Sequence, residues 1–142
     1  MMKKNFLIIN ASYYRDISAG LLKSAMNVLP SNCKTKIIDV PGVFEIPVTI
    51  SKNIKKFDGF IALGCVIKGQ TPHFDLICAS TFNAIMSLSI NFNKPITNGI
   101  ITALNLTQAL QRSKKSYSNK PNKGSESAKA LISILNNEPK KI

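Results

Sequence analysis

GFIALGCVI, residues 59–67, is apolar from end to end, and KGQTPHF, residues 68–74, follows at once. A short apolar run without alternation reads as a strand buried on both faces, which is how strands of parallel sheets lie between helices. Beyond the loop, Phe74, Ile77, Cys78, Thr81, Phe82, Ile85 and Met86 recur at helical spacing and predict a helix over about 73–90. Upstream, KTKIIDV (34–40) reads as a strand ending at the Pro41-Gly42 turn. A short helix from 44 to 54 follows, with Pro47 in its first turn. FLII (6–9) reads as a buried strand. The helix after it, about 16–29, puts Ile17, Leu21, Leu22, Ala25 and Leu29 on one face and stops at Pro30. Downstream, ITNGIIT (96–102) is the fourth strand. Asn105 with Gln108 forms a capping-box pattern for a helix to about Lys114. The polar stretch 113–124 reads as a loop, and a last helix runs over about 125–136 with Ala128, Leu131, Ile132 and Leu135 on one face. The order β-α-β-α-β-α-β-α-α predicts an α/β fold, three layers α-β-α around a four-stranded parallel sheet.

The 142 residues make one domain spanning 1–142. Hydrophobic residues at 44% against 18% charged predict a packed core and exclude a disordered chain. Nineteen Lys and Arg against seven Asp and Glu give a net charge of +12. That admits nucleic acid, anionic lipid or a phosphorylated small molecule as a partner without choosing among them. Cys33, Cys65 and Cys78 form no CxxC pair and are odd in number, so a reducing compartment is expected. With His73 as the only histidine, no metal site is expected. The opening MMKKNFLIIN has a short apolar stretch and no cleavage pattern, and no run is long enough to span a bilayer. The expectation is a soluble, cytoplasmic protein.

In parallel α/β sheets, ligands bind beyond the carboxyl ends of the strands. The predicted ends are 10–14, 40–45, 66–73 and 98–102. The third holds Lys68, Gly69, Gln70, Thr71, Pro72 and His73. Gly69 lets the backbone bend or a ligand approach. Thr71 reads as an N-cap with Pro72 as the first helical residue. The free amides of such a helix start suit a phosphate, although the Walker spacing is absent. An ordinary capped helix is the plainer reading of the same residues. His73 in that first turn is either a packing histidine or, beside a bound anion, a group that takes and returns a proton. Glu45 either complements the dipole of its helix or accepts hydrogen bonds from a polyol. Tyr13 and Tyr14 either pack against a neighbour or stack on a planar ring. The fourth end offers Asn98 and Gly99. Arg112, on a helix that also carries Leu106, Ala109 and Leu110 for burial, can grip a phosphate with its planar fork. The paired lysines elsewhere read as solvated surface, and Cys65 and Cys78 as core.

VPGVFEIP (40–47), ALGCVIKGQTPHFD (62–75), NGIIT (98–102), Gln108-Ala109 and NKG (122–124) together resemble the signature blocks of lumazine synthase, the 6,7-dimethyl-8-ribityllumazine synthase family of riboflavin biosynthesis. They stand in the family's order, and the resemblance runs from about 6 to 135. It implies a flavodoxin-like fold, in agreement with the element order. It implies condensation of 5-amino-6-(D-ribitylamino)uracil with 3,4-dihydroxy-2-butanone 4-phosphate, giving the lumazine, phosphate and water, without metal or organic cofactor. By position it implies that Tyr13 stacks on the pyrimidine and that Val66 and Ile67 meet its edge. Val43, Phe44 and Glu45 would hold the ribityl chain, and Gln70 and Thr71 the phosphate. His73 would transfer protons, Arg112 would grip the phosphate, and Lys123, the lysine of the NKG block, would contact substrate. Three departures stand out. Asn98 occupies a position where many members carry a phenylalanine over the ring. Lys68 replaces a common arginine. The turn before Lys123 is a few residues longer than usual, which leaves Lys120 as an alternative.

The resemblance also implies a ring of five subunits with sites between neighbours, the His73 loop from one and the 112–123 region from the next. Some members close twelve rings into a shell. The extended turn and short N-terminal segment here predict an isolated pentamer, with no nucleic acid or membrane partner. A non-catalytic basic protein that binds RNA or a flavin-like ligand is the alternative, since fold does not fix function. Against RNA, Tyr117 is the only aromatic in the basic C-terminal region, where stacking modules interleave several.

Overall fold

The computed structural model describes residues 3–114 and 121–139. Its elements are β1 (Asn5–Ala11), α1 (Arg15–Val28), β2 (Lys34–Val40), α2 (Ile46–Asn53), β3 (Gly59–Ile67), α3 (His73–Phe92), β4 (Ile96–Ala103), α4 (Leu106–Ser113) and α5 (Lys123–Asn136). The four strands form one sheet in the order β2-β1-β3-β4, and every pair is parallel. β1 and β3 are central and almost wholly buried. Phe6, Ile8, Leu63 and Cys65 pack on one face with Ile17 and Leu21 of α1 and Leu131 of α5. Leu7, Ile9, Phe60 and Ala62 pack on the other with Ile46 and Ile50 of α2 and Ile85 of α3. These alternating side chains produce the expected α-β-α layers. No helix among the described residues is long and apolar enough to cross a membrane.

Helix ends follow local chemistry. Leu29 caps α1 just before Pro30. Asn93 ends α3 in the left-handed region at φ 52°, and Lys94 N–H donates back to the Ser89 carbonyl at 3.1 Å. Asn105 Oδ1 accepts from Gln108 N–H at 2.9 Å, while Gln108 Oε1 accepts from Leu104 N–H at 2.8 Å, a capping box reaching one residue further back than the usual pattern. Asn122 Oδ1 accepts from Gly124 and Ser125 N–H at 2.8 and 3.1 Å and starts α5 two residues before the expected Ser125.

Four further expectations are corrected. Pro72, not Thr71, is the N-cap of α3, and His73 is its first residue. Thr71 Oγ1 accepts only a long 3.4 Å contact from His73 N–H. Lacking an N–H itself, Pro72 serves at either position. A single 3-10 turn over Val43–Glu45 precedes α2. Leu106 is exposed, because the short helix α4 turns Ala109 inward, with Leu110 half-buried beside it. β4 runs on to Ala103, so Asn98 lies mid-strand opposite Ala62 rather than at a strand end.

Two glycines set how closely α1 meets the C-terminal helices. A Cβ on Gly20 would collide with the Ser113 carbonyl oxygen at the end of α4, and one on Gly124 with the Leu21 carbonyl oxygen. Helix propensity alone credits Gly124→Ala with up to about 1 kcal/mol of gained stability. The backbone collision predicts the opposite sign, a loss of about 1–3 kcal/mol. Urea unfolding will show it as a lower midpoint at unchanged slope.

Candidate active site

β1 and β3 are neighbours, but the chain leaves them toward opposite faces, through α1 on one side and α3 on the other. A crevice opens between such diverging connections. It holds a cavity of about 300 Å³ lined by Tyr13, Val43, Phe44, Glu45, Val66, Ile67 and His73. Tyr13 is 75% exposed, and its ring meets Tyr14 edge to face at 4.9 Å. Tyr14 packs inward against the core. Burial first, then Cys65 and Tyr13, raise the Tyr14 hydroxyl above the ordinary tyrosine range. The Val43–Glu45 turn reaches this crevice because β3 carries Gly64 beneath it: a Cβ there would stand 2.7 Å from Val43 Cγ1. The turn is closed by Glu45 N–H donating to the Gly42 carbonyl at 3.2 Å. His73 is exposed at the start of α3. One wall of this hollow thus offers an open aromatic face, one a carboxylate, and one an imidazole.

A second cavity of about 380 Å³ lies along β4, one of the sheet's two edge strands. Its lining includes Asn98, Thr102, Arg112 and Lys123, together with Phe82 and Glu126. Arg112 lies in the last turn of α4, where its Nη1 donates to the Gln108 carbonyl at 3.0 Å. A cation at a helix C-terminus is favoured there. Lys123 is the first residue of α5 and Glu126 lies one turn on, at a spacing that puts both on one side of the helix. Two cations and one carboxylate therefore border this hollow, a composition suited to an anion.

The expected site residues thus fall into two groups that share no lining residue. Tyr13, Val43, Phe44, Glu45, Val66, Ile67 and His73 come together; Asn98, Arg112 and Lys123 come together elsewhere. Gln70 and Thr71 are exposed and line neither hollow. Gly69 has no left-handed φ, so no bend there requires glycine, and a Cβ would meet nothing within 4 Å. Lys120 and Tyr117 lie outside the described residues. Glu126 and Phe82 were missed as site residues. Glu126 carried a signal in its spacing from Lys123, whereas Phe82 reads as one more core position of α3.

Cys65 borders the first cavity from within β3. Burial, with Cys78 second, pushes its thiol up to about 12 from 9.0. A thiol held protonated is a poor nucleophile. Iodoacetamide at pH 8 is expected to leave Cys65 unmodified in the folded protein and to label it in urea, as mapped by mass spectrometry; labelling of Cys65 in the folded state contradicts this. Between about 9 and about 12 the unfolded chain releases a proton that the folded chain keeps, so Cys65 lowers stability as pH rises through that window.

A family model described as 6,7-dimethyl-8-ribityllumazine synthase matches residues 3–138, a span that contains both cavities. The chain is 38% identical over 136 residues to a 6,7-dimethyl-8-ribityllumazine synthase from Bartonella tribocorum, covering 93% of this chain and 90% of the relative. The protein of that name from Agrobacterium fabrum is 36% identical over 143 residues, 95% of each chain. The one from Methylorubrum populi is 36% identical over 136 residues, 90% of this chain and 80% of the relative. On family match, identity and coverage alike, the chain belongs to the 6,7-dimethyl-8-ribityllumazine synthase family of enzymes.

Proposed function

We propose that this enzyme condenses 5-amino-6-(D-ribitylamino)uracil with 3,4-dihydroxy-2-butanone 4-phosphate in the cytoplasm, at sites shared between neighbours of a homopentamer. The observation that carries the reading is the split itself. One chain holds a hollow with an aromatic face, a carboxylate and an imidazole; a separate hollow holds the guanidinium and ammonium. A second copy that brings its β4 edge to the first hollow supplies what that hollow lacks.

In this reading the pyrimidine lies against Tyr13 with its edge at Val66 and Ile67. The ribityl hydroxyls donate to Glu45 beside Val43 and Phe44. The 5-amino nitrogen attacks the ketone carbon, and loss of water gives the imine. Elimination of the phosphate follows. The ribitylamino nitrogen then closes the ring and a second water departs. His73 moves the protons of imine formation and phosphate loss. Arg112 and Lys123 of the neighbour, with the Gln70-Thr71 approach to α3, hold the leaving phosphate and stabilise its charge. Most of this is orientation of two reactants, which in favourable cases supplies about 7–11 kcal/mol of a barrier.

The outward face of α3 supports assembly. Leu76, Met86 and Ile90 are 64%, 61% and 69% exposed, and with Ala79 and Asn83 they recur at alternating steps of three and four. That is the spacing of a helix–helix seam, and it lies on the surface uncovered. The isolated ring, rather than a shell, remains our reading of the long turn before Lys123. No feature among the described residues favours a non-catalytic RNA- or flavin-binding role over this one.

Mixing both substrates with the protein is expected to produce the absorbance of the lumazine. His73→Ala should lower kcat on the order of a hundredfold or more. Arg112→Ala should chiefly raise KM for the phosphorylated substrate. Turnover at the wild-type level in both variants overturns the assignment. Co-refolding the two variants should restore activity, since about a quarter of randomly formed interfaces then join two intact halves. Sedimentation should find a pentamer, and Met86→Glu with Ile90→Glu should yield smaller, inactive species. A shell-sized particle refutes the isolated ring.

A further inference from the structure

Asn98 cannot cover a flat ligand. Its Oδ1 accepts from Ile100 N–H at 2.9 Å, which ties the amide along its own strand. Beside it, the same hollow is lined by one aromatic side chain among the described residues, Phe82 of α3. Phe82 is half-buried, packed on the core with Ile85 while still lining the hollow. Arg112 and Lys123 line the same hollow. The hollow thus combines two cations suited to the phosphorylated reactant with one aromatic face, alongside the polar side chains of Asn98, Thr102 and Glu126.

We infer that Phe82 is a substrate-positioning residue, supplying from a helix an aromatic face over the heterocycle that Asn98 of the strand does not offer. The inference rests on the proposed condensation and on the β4 edge of one subunit closing over the Tyr13 hollow of the next. The pyrimidine would then lie between Tyr13 of one chain and Phe82 of its neighbour. A planar, electron-rich ring gains from two aromatic faces beyond the area it buries. The companion substrate is an aliphatic phosphate, which a ring face does not recognise, so the effect of Phe82 falls on one substrate only.

Four proteins test this: wild type, Phe82→Leu, Phe82→Tyr, and Phe82→Leu combined with Asn98→Phe. Leucine keeps apolar bulk against the core and removes the ring. KM is measured for each substrate separately, and the Kd of 6,7-dimethyl-8-ribityllumazine is measured by its fluorescence, a readout that needs no turnover. Phe82→Leu should raise KM for the ribitylaminouracil and the lumazine Kd on the order of tenfold, with KM for the butanone phosphate within about twofold. Phe82→Tyr should stay close to wild type, and the double variant should regain most of the loss. Unchanged constants in Phe82→Leu overturn the inference, as does an equal rise for both substrates with no rescue by Asn98→Phe. A wild-type protein that forms no lumazine overturns the reaction itself. An active wild type with indifferent Phe82 variants overturns only the role of Phe82.

Discussion

The backbone of α1 grips both ends of the connection that carries Arg112 and Lys123. Gly20 receives the Ser113 carbonyl, one residue past Arg112, and Gly124, one residue past Lys123, lies against the Leu21 carbonyl. Lys114 adds an ion pair with Asp16 at the start of α1. α1 is itself fixed to the sheet through Ile17, Leu21 and Ala25, all buried. Two cations at the protein surface are thus anchored, within a residue or two, to the deepest part of the core. Groups held this way need little reordering when an anion arrives, and positioning of this kind is what a condensation of two small molecules demands.

The same sheet that positions each hollow also keeps the hollows apart. The crevice between β1 and β3 gathers the groups from the first three strand ends. β4 lies outside it, and Asn98, with Arg112 of α4 and Lys123 of α5, lines a separate hollow along that strand. In the shared-site reading, the ring of subunits is part of the chemistry rather than an addition to stability. A heterologous contact brings one surface of each chain to a different surface of the next, and a closed ring repeats that pairing without leaving an unused half.

Much of this was legible in the residues. The span 59–67 and the span 34–40 coincide with β3 and β2, because an unbroken apolar run and a Pro-Gly turn are strong local signals. The cavity at the ends of β1, β2 and β3 was legible for the same reason: its residues cluster at the last positions of these strands and in the segments that follow them. The errors have a common origin. ITNGIIT shows that a strand exists, but not where its carboxyl end falls, so the residues suggest an end at Asn98 although it lies in the middle. Pro72 satisfies the rules for a cap and for a first turn alike, so local chemistry could not separate them. Leu106 looks buried by type, yet a helix as short as α4 turns only one narrow face inward. Phe82 lines the hollow along β4 only because α3, packed on the opposite face of the sheet from α5, also reaches that edge, a tertiary fact that no local spacing encodes.

The net charge of +12 divides into two physical roles. Most of the described lysines, among them Lys34, Lys36, Lys52, Lys55, Lys56 and Lys129, are exposed and carry no hydrogen bond to an acid. At physiological ionic strength such charges are screened beyond about 8 Å. They raise the local concentration of an anionic reactant, but they discriminate nothing. Arg112 is different in kind. It is half-buried, donates to the Gln108 carbonyl, and lines the β4 hollow together with Lys123 and Glu126. A fixed, planar donor fork distinguishes a phosphate from a bare charge by geometry. In the proposed reading, the diffuse field can therefore change freely by substitution of surface lysines, while the composition of the β4 hollow cannot, because there the charge would act through position.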